Sequence, residues 1–249
     1  MIRIIKTEFI KLKKFSILWI GVAAMLACVL LTRFMATASD GTEYNLMIFG
    51  SEVIWNGFSL IFPSTIALIS GYIVERERTD DTLKNLSVIP ISFRKLLTGK
   101  MIVTALICVY LSIIEFAFTF FVVLLSGFSG CSFGNAIRIL FQMVAINLCV
   151  FIAVLPIVLI ACQKAGAFIN GVVFAFFYGF IGIFAAGHGL TNIYPITAGL
   201  GLINYQSDEV LEFNKLVSLV VLVCMLLISF ALVFFAKDRV GSKKVKMIK

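Results

Sequence analysis

The chain has 249 residues, of which 61% are hydrophobic and 14% charged, with 21 Lys and Arg against 13 Asp and Glu. With a mean hydropathy of +1.08, this composition excludes a water-soluble fold and points to an all-α integral membrane protein. The formal net charge of +8 comes without a basic stripe carrying interleaved aromatics, so nucleic acid is not an expected partner.

Six apolar stretches are each long enough, at about 1.5 Å rise per residue, to cross a hydrocarbon core of about 30 Å. In chain order they occupy about 15–34, 53–74, 101–125, 139–162, 166–186 and 216–236, which together make a six-helix transmembrane domain over 15–236. If both termini face the cytoplasm, all but three of the 21 Lys and Arg fall on that side, leaving Arg33, Arg138 and Lys215 outside. Basic residues near helix ends resist translocation, so this asymmetry predicts an N-in, C-in topology. Basic segments beside the spans would then meet anionic membrane lipid.

Residues 1–14 place Ile2, Ile5, Phe9 and Leu12 at helical spacing among Arg3, Lys6, Lys11, Lys13 and Lys14, the pattern of an amphipathic helix lying in the headgroup region. The 75–100 loop reads ERERTDDTLKNLSVIPISFRKLLTGK. Thr79, Asp80 and Asp81 can cap a helix N-terminus, Thr82 follows, and Leu83, Leu86 and Val88 give an apolar edge beside Lys84 and Asn85, until Pro90 disfavours helix at Ile89. So short a helix has no core of its own, and a soluble partner protein or the membrane surface would cover its edge. Ser92 can cap the next helix. Residues 187–215 are too polar and broken to cross lipid, because a spanning segment must satisfy its own backbone groups. They are expected as an external re-entrant or interfacial region, and 237–249 as a basic cytoplasmic tail.

Within the spans, Glu115 is the one ionisable residue well inside an apolar run. Thr104, Cys108, Ser112 and Thr119 share its face. Intramembrane carboxylates default to functional candidates, so Glu115, Ser112, Thr119, Asn56 and Asn147 are the pathway or gating candidates, with structural hydrogen bonding as the alternative role. Asn56, Asn147 and Asn170 are expected as buried polar groups needing partners, and Pro63 and Pro156 as sites of kinks. Ala167, Gly171, Ala175 and Gly179 form a small-residue stripe for close helix packing, with a partner either in this chain or in a second copy. The six cysteines have no CxxC spacing and are read as small core hydrophobes. The single His188 belongs to no recognisable triad or HExxH motif, so no catalytic residue and no metal site is expected. Without a GxxxxGK[ST] cradle, the chain is not expected to bind or hydrolyse ATP itself.

The basic N-terminal helix, the Glu75-Arg76-Glu77-Arg78 stretch followed by Thr82-Leu83-Lys84-Asn85-Leu86 and Pro90-Ile91-Ser92, the six spans and the broken segment before the last span together resemble the permease subunits of type 2 ABC exporters, particularly those of bacitracin-resistance and lantibiotic-immunity transporters. The resemblance covers nearly the whole chain. It implies that 1–14 is the family's elbow helix, that Thr79 to Val88 is a coupling helix docking on a separate ABC ATPase, and that ATP and Mg are bound by that subunit. It further implies a bacterial cell membrane and export of an amphipathic peptide antibiotic or lipid-like substrate. Six helices are half of a usual transmembrane unit, so a second copy or a similar permease is expected. The rival reading is a membrane immunity or sensor protein that binds a bacteriocin-like ligand without an ATPase.

Overall fold

A computed structural model describes residues 7–9, 16–38, 43–79, 93–163, 166–205 and 213–235. Every element of regular structure among them is helical. Six helices are long and apolar enough to cross a membrane. Apart from the end of a helix at Thr79, the coupling segment lies outside the described residues: Asp80, Asp81, Thr82, Leu83, Lys84, Asn85, Leu86 and Val88. So do the basic tail and, apart from residues 7–9, the N-terminal helix.

The first crossing is α1, Ile17–Thr37. The second is a composite of α2, Leu46–Asn56, a π-helical segment, Gly57–Ile61, and α3, Phe62–Thr79. It starts seven residues before the predicted 53–74 span and includes Glu52. The charge is accommodated because the Tyr44 hydroxyl donates to Glu52 Oε1 at 3.0 Å. The helix begins at Asn45, whose Oδ1 accepts from the Ile48 amide at 2.9 Å, a side-chain cap for an otherwise free N–H. Replacing Asn45 with Ala is expected to cost about 1 kcal/mol, read as a lowered thermal midpoint in mild detergent. Thr79 is the last described residue of α3 and continues the second crossing.

The third crossing, α4, spans Phe93–Leu125 and so begins eight residues before the predicted boundary at 101. Next come α5, Phe133–Ala161, and α6, Phe168–Gly187. A short helix, α7, Pro195–Leu202, precedes the last crossing, α8, Lys215–Phe235. Proline opens α7 at the position where its missing N–H is harmless.

The π segment explains the kink expected at Pro63. Proline has no N–H to give the Ser59 carbonyl four residues back, and its ring crowds that carbonyl. The chain answers by widening one turn: the Phe62 amide donates to the Gly57 carbonyl, five residues back. Pro156 lies inside α5, which continues through it.

The second crossing and α5 form the centre. α5 packs against α4, α8, α3, α7 and α6, and α3 packs closely on α6. The stripe on α6 faces the second crossing and α5. A Cβ on Gly179 would lie 2.6 Å from the Ser59 carbonyl oxygen and 2.8 Å from Pro63 Cγ, and one on Gly171 would lie 2.6 Å from Ala161 Cβ. Ala175 is fully buried between them, and Ala167 is the residue just before the helix. The partner of this stripe is therefore within the same chain. Asn170, expected to be buried, is exposed instead.

The two ends of the bundle are tied differently. At the end holding residues 43–45 and 126–132, the Arg33 guanidinium donates to Ser126 Oγ at 3.0 Å and lies over the Phe128 ring. Phe128 stacks on Tyr44, and the Leu46 amide donates to the Ser129 carbonyl. Helix α7 sits at this end too. It is nearly buried, and Gln142 of α5 donates to the Ile203 carbonyl just past its C-terminus at 2.9 Å. The Tyr205 hydroxyl donates to the Ser51 carbonyl, and its ring stacks on Trp55. Residues 194–203 are thus packed against the helices, while 187–190 are exposed.

Candidate functional site

The polar stripe of α4 is buried along its whole length: Thr104, Cys108, Ser112 and Thr119 are fully inaccessible and Glu115 nearly so. Helical spacing puts them on one face, and that face meets α1, α5 and the second crossing. Three hydroxyls are satisfied within the helix. Thr104 donates to the Lys100 carbonyl, Ser112 to the Cys108 carbonyl, and Thr119 to the Glu115 carbonyl, each at 2.7–2.9 Å. Thr119 therefore makes a local bond and is not brought to the carboxylate.

Glu115 is at the meeting point of four segments. Asn147 Nδ2, from α5, donates to Glu115 Oε2 at 2.8 Å and to Ser112 Oγ at 3.0 Å. Among the described residues no N–H or O–H group reaches Oε1. That oxygen instead faces Gly57, where an added Cβ would lie 3.1 Å from it and 3.8 Å from the Cys28 thiol of α1. Glycine at 57 is what gives the carboxyl its room, and it is the first residue of the π segment. π turns frequently mark functional sites in helices, and here one sits directly on an intramembrane carboxyl.

Asn56 belongs to an adjoining junction. Its Nδ2 donates to Thr32 Oγ1 at 3.0 Å and approaches Met35 Sδ at 3.6 Å, joining α2 to α1. Thr32 Oγ1 in turn donates to the Cys28 carbonyl. Cys28 and Thr32 are one turn apart, so the two junctions stack along α1. Of the five pathway candidates, the structure brings Glu115, Ser112 and Asn147 into one hydrogen-bonded group and sets Asn56 one turn away.

The buried charge pair at the opposite end is not evident from the sequence. Lys100 Nζ lies 2.9 Å from Glu8 Oε2, with both side chains at most 5% exposed. It also donates to the Ile73 carbonyl at 3.0 Å. The available signal is that Glu8 is the one acid in a strongly basic N-terminal run. A further tie nearby joins Glu75 Oε1 to the Gly166 amide at 2.7 Å, where Gly166 has φ +75, a backbone region suited to glycine.

Elsewhere the described residues contain no group of three or more His, Cys, Asp or Glu placed to hold a metal ion. Cys28, Cys108 and Cys162 are buried, Cys149 is partly so, and Cys131 and Cys224 are exposed; all six are free thiols. His188 is exposed between two glycines, with Nδ1 2.9 Å from the Phe184 carbonyl oxygen.

Six apolar crossings around buried polar junctions define a multi-pass helical membrane protein. Residues 4–182 match the family model described as ABC-2 family transporter protein. The chain belongs to that family, whose members are membrane permeases of ABC transporters, generally non-catalytic and working with an ABC ATPase subunit. The matched region contains the Glu115 group, the Asn56 junction and the Glu8–Lys100 pair, and it ends within α6. No curated protein matches the chain.

Proposed function

We propose that this chain is the membrane-spanning half of an ATP-driven exporter in a bacterial cell membrane, working as a dimer with a second copy or a similar permease. Residues 1–14, 75–100 and 237–249 face the cytoplasm, and 187–215 form the external re-entrant region. ATP and Mg are held by separate ABC ATPase subunits, which engage Thr79 to Val88. The cargo is an amphipathic peptide antibiotic or a lipid-like molecule drawn from the bilayer, moved outward for resistance, immunity or peptide export.

Family membership across 4–182 carries this reading. The basic residues concentrated in the three cytoplasmic segments support the orientation. The likeness of the Glu75 to Ser92 pattern to bacitracin-resistance and lantibiotic-immunity permeases supports the choice of cargo. In this scheme ATP-driven movement of the loop reaches the Glu115 group through α4 and the second crossing. There, opening the Asn147 bonds separates α4 from α5 and gates the pathway.

The test is co-purification. Tagged permease expressed with the genes around it is expected to bring down a Walker-type ATPase, and Leu83→Asp with Leu86→Asp is expected to reduce the recovered ATPase at least tenfold while membrane insertion stays unchanged. Undiminished recovery would remove the coupling role of 79–88. Absence of any ATPase from the wild-type complex would favour the ligand-binding immunity protein instead.

A further inference from the structure

The segment assigned above to ATPase engagement hangs from two arms, the C-terminal part of α3 and the N-terminal part of α4. Ile73 lies six residues before the last described residue of α3 and Lys100 seven residues after the first described residue of α4, about 10 Å along each. The Lys100 ammonium bridges the arms at this level: it donates to the Ile73 carbonyl of one arm while rooted in the other. Its second contact, Glu8 Oε2 at 2.9 Å, comes from 92 residues away in the N-terminal segment.

Burial gives this arrangement its mechanical meaning. The two side chains are 3% and 5% exposed, so neither charge can exchange its partner for water where it stands. An isolated buried charge is far more costly than a paired one, so pulling this pair apart is opposed by its burial. A displacement of the arms relative to residue 8 must therefore either open a water-excluded ion pair or carry residue 8 along. The second course keeps every contact.

We propose that Lys100 is a positioning residue that locks the two arms and the N-terminal segment around Glu8 into one rigid unit, so that force applied between the arms is delivered to residues 7–9 as well as to the spans. The lock itself stands on the geometry alone; its use in transport rests on the ATP-driven reading given above.

The experiment uses the full permease with its co-purified ATPase in nanodiscs of phosphatidylethanolamine and phosphatidylglycerol. Spin labels are attached to encoded ketone side chains at Phe9 and Lys95, both exposed, which leaves the native cysteines untouched. A second pair joins Phe9 to Phe133, which is exposed at the opposite end. In the wild type the 9–95 separation is expected to be narrow and identical without nucleotide and with ATP plus vanadate, while the 9–133 separation shifts. Lys100→Met and Glu8→Gln are each expected to at least double the width of the 9–95 distribution, and Glu8→Gln, which preserves size and hydrogen bonding, suffices if Lys100→Met is not recovered. A 9–95 separation that changes with nucleotide in the wild type, or a width unaffected by the variants, would overturn the lock. If nucleotide moves neither pair, the ATP-driven reading fails, and the widths measured without nucleotide still decide the lock.

Discussion

Asn147→Leu is expected to be among the most damaging single substitutions in the membrane interior. The amide donates to both Ser112 and Glu115, and Ser112 retains its bond to the Cys108 carbonyl when Asn147 is gone. The carboxyl keeps only the Cys28 thiol of α1, a weak donor. Stranding a buried polar group costs roughly 1–3 kcal/mol, so the thermal midpoint in detergent should fall clearly below that of the wild type. Replacing both partners with apolar groups can be nearly neutral. The pair Asn147→Leu with Glu115→Leu is therefore expected to be more stable than Asn147→Leu alone, and a double-mutant cycle showing simple additivity would deny that the two side chains are coupled. Glu115→Gln separates structure from transport. The Gln carbonyl can still accept from Asn147, so folding should survive, and a gating role predicts loss of transport or resistance. Unaltered transport in Glu115→Gln would leave the group a structural bond between α4 and α5.

The second large effect is expected from Gly179→Val. The first added carbon would stand 2.6 Å from the Ser59 carbonyl oxygen and 2.8 Å from Pro63 Cγ, and the nearer of these is backbone that cannot rotate aside. Overpacking into a well-fitted interior costs about 1–3 kcal/mol, occasionally more, and here the wedge enters the close contact between α6 and the second crossing. Folded, monodisperse protein in mild detergent should fall severalfold. Gly187→Ala is the matched control, since a Cβ there meets nothing within 4 Å; equal yields of the two variants would refute the close-approach account.

Much of the architecture follows from where the charges are. Six uninterrupted apolar runs demand six crossings in lipid, and the periodicity of Ala167, Gly171, Ala175 and Gly179 marks a packing face whichever neighbour it meets. The buried face of α4 was likewise legible, because Thr104, Cys108, Ser112, Glu115 and Thr119 repeat at helical spacing. Boundaries were less so, for one physical reason. A charge ends a span only if it has to reach water. Glu52 and Lys100 lie within helices because Tyr44 and Glu8 supply partners, and neither pairing can be inferred from local pattern.

The site was legible in its members more than in its grouping. A sequence places Asn56 and Asn147 on their helices but not their helices side by side, so Asn56 appears a peer of Glu115 when it bonds Thr32 instead. Asn170 shows the converse: near the start of its helix it remains exposed. Pro63 signals a disturbed helix, yet whether the chain kinks or widens depends on what stands beside the freed carbonyl. At Ser59 a glycine on α6 leaves room for it.

The widened turn at Gly57–Ile61 fixes the register of the second crossing. A π turn contains one residue more than an α turn requires. Returning it to α pitch would slip everything from Leu46 to Asn56 by one residue relative to α3, a screw motion of about 1.5 Å and 100°. Trp55 would swing off Tyr205, and the glycine that makes room for the Glu115 carboxyl would rotate out of its place. The size of that offset is set by covalent geometry, so one extra residue in a single turn decides which side chains the second crossing presents to its neighbours.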